Sequence, residues 1–123
     1  MALNARMVTI DCADPVKLAS FWTAALDYTI ARDMGPGWYI MLAPPEERRG
    51  AINIGLQRVP EARAGKNRVH IDFVGAGTLP ELVDRLVALG ATVLDRQEVP
   101  GLVWQVLADP EGNEFCILTP RDQ

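Results

Sequence analysis

The strongest constraint on this fold is an order of elements that occurs twice along the chain: strand, helix, strand, strand, strand. In the first half, Val8 and Ile10 alternate with polar neighbours, as in a strand with one buried face. Asp14 and Pro15 then predict a helix start, because Asp caps free N–H groups and Pro suits the first helical position. The three strands that complete this half are predicted at residues 28–32, 38–42 and 51–57.

The second half repeats the order. Residues 68–74 alternate as a strand, and the Thr78 to Glu81 segment is typical of a helix capping box. Gly90 is placed to end that helix, and strands are predicted at residues 92–97, 102–108 and 113–119. Local similarity between residues 25–30 and 88–93 favours a true repeat over a generic α+β sandwich.

Composition limits the classes of function. A chain of 123 residues suits one domain, and a net charge of −4 argues against nucleic acid as the main partner. No segment approaches the roughly 20 apolar residues that span a bilayer, and the first residues lack a signal-peptide profile, so no membrane partner is expected. Cys12 and Cys116 form no Cys-x-x-Cys motif, which predicts a cytoplasmic protein with reduced thiols.

Several motifs together resemble the vicinal oxygen chelate superfamily, which includes glyoxalase I, extradiol dioxygenases and bleomycin-resistance proteins. They are Asp14-Pro15 with the Phe21-Trp22 helix, Arg-Val-His-Ile-Asp at 68–72, Leu-Val-Ala-Leu-Gly-Ala-Thr at 86–92 and Asp-Pro-Glu-Gly-Asn-Glu-Phe at 109–115. The resemblance implies an α+β fold in which two tandem βαβββ modules form a curved mixed sheet around a cup, with the helices on the outer face. It further implies one glyoxalase-like domain over residues 1–123, with modules at about 5–57 and 68–120, and a homodimer.

Strand alternation predicts which side chains line the cup. The polar side chains that alternation places together on the face away from the helices are Thr9, Asp11, Asn53, Gln57, His70, Asp72, Glu114 and Cys116. Trp38 and Trp104 lie on predicted strands, where each could stack on a flat ligand or pack under a helix. We therefore predict a small-molecule ligand that contacts Thr9, Asp11, Asn53, Gln57, His70, Trp38, Trp104 and Cys116.

In metal-using relatives, four ligands come from the first, fourth, fifth and eighth strands. Carried over by motif, they fall on His70, on Cys116 where relatives usually have Glu, on Met7 or Thr9, and on Asn53 or Gly55. His70 alone is a strong ligand for Zn, Ni, Fe or Mn, because thioether and amide groups are poor substitutes. A divalent metal therefore stays open as a cofactor.

Other assignments also stay open. His70 and Asp72 are candidates for catalysis, but His70 could equally be a partly buried imidazole that is hydrogen-bonded to Asp72 or to a neighbouring strand. Asp11 and Asp72 are either an acid/base pair or polar residues in a wet cavity, and Cys116 is either an inert thiol or a nucleophile. The basic run, Arg58, Arg63, Lys66 and Arg68, is either a solvated loop face or a gate that attracts an anion.

Two functions fit these residues. The first is a glyoxalase- or bleomycin-resistance-like protein that binds a small metabolite in the cup. The second is a metal-dependent lyase, isomerase or dioxygenase that acts on substrates with vicinal oxygens. Because the superfamily supports many reactions on one scaffold, the resemblance does not choose between them.

Overall fold

The structure is a computed structural model that describes residues 1–120, and the chain divides into two compact units, Met1–Ala62 and a second that begins at Arg63. The first unit contains β1 (Met7–Cys12), α1 (Pro15–Leu26), β2 (Thr29–Met34), β3 (Tyr39–Ala43), a 3₁₀ turn (Glu46–Arg48) and β4 (Asn53–Arg58). The second contains β5 (Ile71–Phe73), α2 (Leu79–Leu89), β6 (Thr92–Val99), β7 (Leu102–Ala108) and β8 (Glu114–Pro120).

Both units have the same sheet topology. The strand orders are β1-β4-β3-β2 and β5-β8-β7-β6, and in each sheet the first pair is parallel and the other pairs are antiparallel. The predicted α+β fold of two βαβββ modules is therefore confirmed. The cup that the two sheets would line together stays a prediction, as does the single domain.

The ends of α1 are fixed by the residues that the sequence indicates. The Asp14 carboxylate accepts a hydrogen bond from the N–H of Lys17 at 3.1 Å, and Asp27 ends the helix with a φ of 57°. Asp tolerates this left-handed conformation better than most residues. Arg48 then donates to the carbonyls of Leu26 and Asp27 at 2.6 and 3.0 Å, which satisfies groups that a helix end leaves unpaired.

A complete capping box starts α2. The Thr78 N–H donates to Glu81 Oε1 at 2.9 Å, and the Glu81 N–H donates to Thr78 Oγ1 at 3.2 Å. The hydrogen bonds from Thr78 hold the pKa of Glu81 below its ordinary value. Gly90 follows the last turn with a φ of 123°, which is strained for any other residue.

One face of each sheet packs against the helix of its own unit, since α1 contacts β3 and β4 and α2 contacts β8. The buried apolar residues of the first unit include Leu18, Phe21, Trp22, Ile40, Leu42, Ile54 and Leu56. Those of the second unit include Leu79, Leu86, Val103, Leu107, Phe115 and Ile117. Trp22 is therefore a core residue, as its position in the helical stripe predicts.

The fifth strand is much shorter than predicted. Only Ile71–Phe73 pair with β8, so that His70 precedes the strand and Val69, predicted to be buried, is 76% exposed. The physical reason lies in the partner strand. The register that pairs Ile71 with Phe115 would set Val69 beside Asn113. The Asn113 carbonyl accepts from the Asp109 N–H at 2.8 Å in the turn before β8, so Val69 has no extended partner.

Trp38 is a second correction. The sequence places it at the start of a strand, but it lies in the turn before β3, where its N–H donates to the carbonyl of Met34. Its side chain is 56% exposed and does not pack under a helix. Within residues 1–120, neither helix has the length and apolar character needed to cross a bilayer.

Candidate ligand-binding faces

The first unit carries a polar sheet face opposite its core. Thr9 is paired with Gly55 and Asp11 with Gln57 across the parallel strands β1 and β4. The side chains of Thr9, Asp11 and Gln57 are exposed, and Asn53 is half-buried. Strand alternation therefore places these four side chains correctly, while their role in binding stays a prediction.

A tyrosine that sequence reasoning missed lies across this face. The hydroxyl of Tyr39, on β3, is 3.3 Å from Thr9 Oγ1 and donates to Met7 Sδ at 3.3 Å. A Cβ at Gly55 would overlap the phenol oxygen and would lie 2.9 Å from both Tyr39 Cζ and Thr9 Oγ1. Gly55 therefore provides the space in which the phenol crosses β4 to reach β1.

The signal for Tyr39 is present in the sequence but indirect. Tyr39 and Met41 alternate with the buried residues Ile40 and Leu42, which places Tyr39 on the polar face. Its reach over a neighbouring strand depends on the register that sets Met41 beside Gly55. Alternation alone does not supply that register.

Asn53 faces a separate concavity of the first unit. A cavity of about 600 Å³ is lined by residues 4–6, 43–46 and 49–53. Its charged side chains are Arg6, Glu46 and Arg49, of which the last two form an exposed ion pair at 2.9 Å. Exposed ion pairs add little stability, so this pair gives no reason to assign the cavity as a binding site.

In the second unit, Cys116 and Trp104 lie on the sheet face opposite the buried side chain of Phe115. Cys116 lies between Asp72 on β5 and Val106 on β7 in the strand register, and Trp104 is half-buried beside Leu118. Cys116 itself is 5% exposed. Burial, then the charge and hydrogen bond of the Asp72 carboxylate, raise the pKa of the Cys116 thiol. A neutral buried thiol favours the inert role over the nucleophilic one.

We expect Asp72→Asn to speed alkylation of Cys116 by iodoacetamide at pH 8 by about two- to tenfold. The carboxylate disfavours the reactive thiolate, so its removal should lower the thiol pKa and increase the thiolate fraction. Peptide mass spectrometry would measure the rate at Cys116 itself. Asp84→Asn, at an exposed position of α2, is the matched control. An unchanged rate in Asp72→Asn would contradict the assigned contact.

The structure gives no hydrogen bond to His70 within residues 1–120, but it gives two side-chain hydrogen bonds to Arg63 of the basic run. His70 is also exposed, so the alternative of a partly buried, hydrogen-bonded imidazole does not hold, while its role in ligand binding stays a prediction. Arg63 donates to Glu114 Oε1 at 3.0 Å and to Asn67 Oδ1 at 3.1 Å, which ties the segment before β5 to the start of β8. Arg63 is therefore paired with Glu114, and the role of the basic run as a gate for an anion stays a prediction.

His70 is a suitable ligand, but the other positions that the resemblance assigns to metal ligands do not fit a divalent ion. Met7 offers a thioether and Asn53 an amide, which are poor ligands. Gly55 has no donor atom, and Thr9 contacts the Tyr39 hydroxyl. Cys116 is held as a thiol, whereas zinc binds thiolate. Within residues 1–120, no group of three or more His, Cys, Asp or Glu side chains is placed to hold a metal ion.

Comparison with known proteins agrees with the fold. The chain matches the family model described as a glyoxalase-like domain over residues 7–118. The protein therefore belongs to the glyoxalase-like family, within the vicinal oxygen chelate superfamily. A search of curated proteins finds no significant match.

Solved structures share the architecture at low identity. A glyoxalase/bleomycin resistance protein/dioxygenase family enzyme from Burkholderia phytofirmans PsJN is 21% identical, with a TM-score of 0.74, over 91% of this chain and 94% of that one. The fosfomycin resistance protein FosX from Listeria monocytogenes is 13% identical, with a TM-score of 0.76, over 96% and 93% of the two chains. A possible glyoxalase from Bacillus cereus is 15% identical, with a TM-score of 0.73, over 96% of this chain and all of that one.

Proposed function

We propose that the protein binds a small metabolite on the polar face of its first sheet, at Thr9, Asp11 and Gln57. The observation that carries the proposal is the contrast between the two faces of that sheet. Ile40, Leu42, Ile54 and Leu56 are almost fully buried on one side, while the opposite side presents exposed hydroxyl, carboxylate and amide groups. A sheet face with several converging polar groups suits ligand recognition.

The neighbours support this class of function. Two of the structures that share the fold are named fosfomycin resistance proteins, from Mesorhizobium loti and Listeria monocytogenes, which indicates small-molecule recognition by those proteins. Asn53 belongs to the same proposal as a contact at the edge of the face. Trp38, His70, Trp104 and Cys116 stay predicted ligand contacts, and His70 and Asp72 stay candidates for catalysis. We further propose a cytoplasmic homodimer, on the basis of the reduced thiols and the family resemblance.

The alternative is a metal-dependent lyase, isomerase or dioxygenase. It rests on His70, which is exposed and available to a ligand. The partner positions carry a thioether or a hydroxyl (Met7 or Thr9), an amide or no donor (Asn53 or Gly55), and a protonated thiol. Those groups are poor ligands for Zn, Ni, Fe or Mn. The donor chemistry therefore favours binding without a fixed metal.

A screen of small polar metabolites against ¹⁵N-labelled, EDTA-treated protein tests the proposal. We expect compounds that bind to shift the amide signals of β1 and β4. Asp11→Ala should weaken the affinity for these compounds, and Asp84→Ala on α2 is the control. Added Zn²⁺, Ni²⁺, Fe²⁺ or Mn²⁺ should leave the Tm unchanged, whereas a metal at about 100 times its Kd adds about 2.7 kcal/mol to a folded protein that binds it.

Two outcomes would overturn this function. The first is a screen in which no compound shifts the signals of β1 or β4. The second is a Tm that rises by several degrees with one divalent metal and loses that rise in His70→Ala, which would favour the metal-dependent alternative.

A further inference from the structure

The four methionines of the chain differ in what surrounds their sulfur atoms. The sulfur of Met7 accepts a hydrogen bond from the Tyr39 hydroxyl at 3.3 Å. Within residues 1–120, the structure gives no hydrogen bond to the sulfur of Met34, although the two side chains are similarly exposed, at 39% for Met7 and 46% for Met34. Met34 is therefore an internal comparison for the effect of a hydroxyl donor beside a thioether.

The donor beside Met7 is held in place by its own neighbours. The hydroxyl oxygens of Tyr39 and Thr9 are 3.3 Å apart, and we call these two groups the hydroxyl pair. Because Tyr39 gives its proton to Met7, the proton between the two hydroxyls comes from Thr9, and each bond in such a chain strengthens the next. The phenol also fills the space that any side chain at Gly55 would occupy. A proton donor is therefore positioned beside the sulfur.

The thioether of Met7 makes poor use of this donor. Sulfur in a thioether is a weak acceptor, whereas Tyr28, the other tyrosine, donates to the carbonyl oxygen of Ile52 at 2.7 Å. A methionine sulfoxide carries an oxygen on its sulfur and is a polar group with a better acceptor. The Met7 side chain is unbranched and exposed, so it can shift outward to place such an oxygen in front of the Tyr39 hydroxyl.

We propose that Met7 is a site of oxidation by hydrogen peroxide and that the hydroxyl pair binds the sulfoxide that forms. A sulfur lone pair forms the new S–O bond while the O–O bond of the peroxide breaks. The proton on the transferred oxygen moves to the departing hydroxide, which leaves as water. Sulfur loses two electrons and the peroxide gains two. This inference is independent of the proposed function, because it concerns the sulfur of Met7 and no ligand.

Oxidation at this position should not disrupt the fold. A sulfoxide disrupts a core because it places a polar group among apolar side chains. Met7 instead alternates with Val8 and lies on the same face of β1 as Thr9, opposite the buried residues Ile54 and Leu56 of β4. The new oxygen therefore gains a hydrogen bond from the hydroxyl pair and displaces no core side chain.

The experiment uses a variant that carries both Met34→Leu and Met41→Leu, so that Met7 and Met1 are its only methionines. Peptide mass spectrometry measures the sulfoxide fraction at Met7 after treatment with hydrogen peroxide, and circular dichroism measures the Tm before and after. The change in Tm on oxidation should be about 2–5 °C more favourable in this variant than in the same variant with Tyr39→Phe, which lacks the donor hydroxyl.

Three further substitutions in the same variant are the controls. Met7→Leu should abolish the change in Tm, which separates Met7 from oxidation at Met1 or at the cysteines. Tyr28→Phe removes the other phenol hydroxyl and should leave the change in Tm on oxidation unaltered. Thr9→Val keeps the Tyr39 donor but removes its partner, so the change in Tm should fall between those with and without Tyr39→Phe.

Two results would overturn this inference. In the wild type, Met7 should be oxidised at a rate comparable to that of Met34, because susceptibility follows exposure. If Met7 remains a thioether under conditions that oxidise Met34, it is not a site of oxidation. If oxidation changes the Tm equally with and without Tyr39→Phe, the hydroxyl pair does not bind the sulfoxide. Neither result bears on the proposed ligand binding at Asp11 and Gln57.

Discussion

Trp22→Ala is expected to lower the free energy of unfolding by about 3–5 kcal/mol, the usual cost of removing a large aromatic side chain from a core. The indole is 2% exposed, and its ring meets that of Phe21 edge-on with a centroid distance of 5.0 Å. Loss of the indole leaves a cavity between α1 and the sheet of the first unit. Urea unfolding followed by circular dichroism measures the change.

Trp38→Ala is the matched control, because it makes the same substitution in the same unit at a side chain that is 56% exposed. A surface change of this kind is expected to alter stability by about 0.5 kcal/mol or less. If Trp22→Ala does not fold, Trp22→Phe keeps an aromatic ring and should give a smaller, measurable loss. Equal losses in Trp22→Ala and Trp38→Ala would contradict the assignment of Trp22 to the core.

Asp109→Ala is expected to destabilise the protein by about 2–4 kcal/mol, because hydrogen bonds to a charged group are each worth about 1.5–3 kcal/mol and are not additive. The Asp109 side chain is 2% exposed and accepts from the Glu111 N–H at 2.9 Å and the Asn113 N–H at 3.0 Å. The Asn113 side-chain amide donates to both carboxylate oxygens at 3.2 and 3.0 Å. The carboxylate therefore organises the turn that joins β7 to β8.

Urea unfolding measures this loss of stability, and two further variants provide values for comparison. Asp109→Asn keeps one carbonyl acceptor and should fall between wild type and Asp109→Ala. Asp33→Ala removes an exposed turn carboxylate that accepts one hydrogen bond, from the Gly37 N–H at 2.7 Å, and should cost about 0.5–1.5 kcal/mol. If Asp109→Ala costs no more than Asp33→Ala, the turn does not depend on the buried carboxylate.

Local chemistry explains why much of the fold is predictable from sequence. Asp14 and the Thr78–Glu81 capping box mark helix starts through bonds to backbone groups within three residues. Strand alternation assigns the faces of β1, β4 and β8 because successive side chains point to opposite sides of a sheet. The exposed polar residues Thr9, Asp11 and Gln57 follow from that alternation.

The errors arise where partners are distant in sequence. The length of β5 depends on where β8 begins, more than 40 residues later, and alternation in residues 68–74 contains no information about that start. For the same reason, the sequence leaves open whether His70 is partly buried, and the structure shows it exposed just before β5. Tyr39 was missed because its contacts with Met7 and Thr9 require the strand register.

The contact between Gly55 and Tyr39 constrains how this site could be rebuilt. Glu at position 55 would add an oxygen ligand on β4, but its Cβ would occupy the space that the phenol oxygen fills. Either the phenol must move off β4 or Tyr39 must be replaced by a small residue, and both changes break the hydroxyl pair. The hydroxyl pair and a side-chain oxygen ligand at position 55 therefore exclude each other on this face.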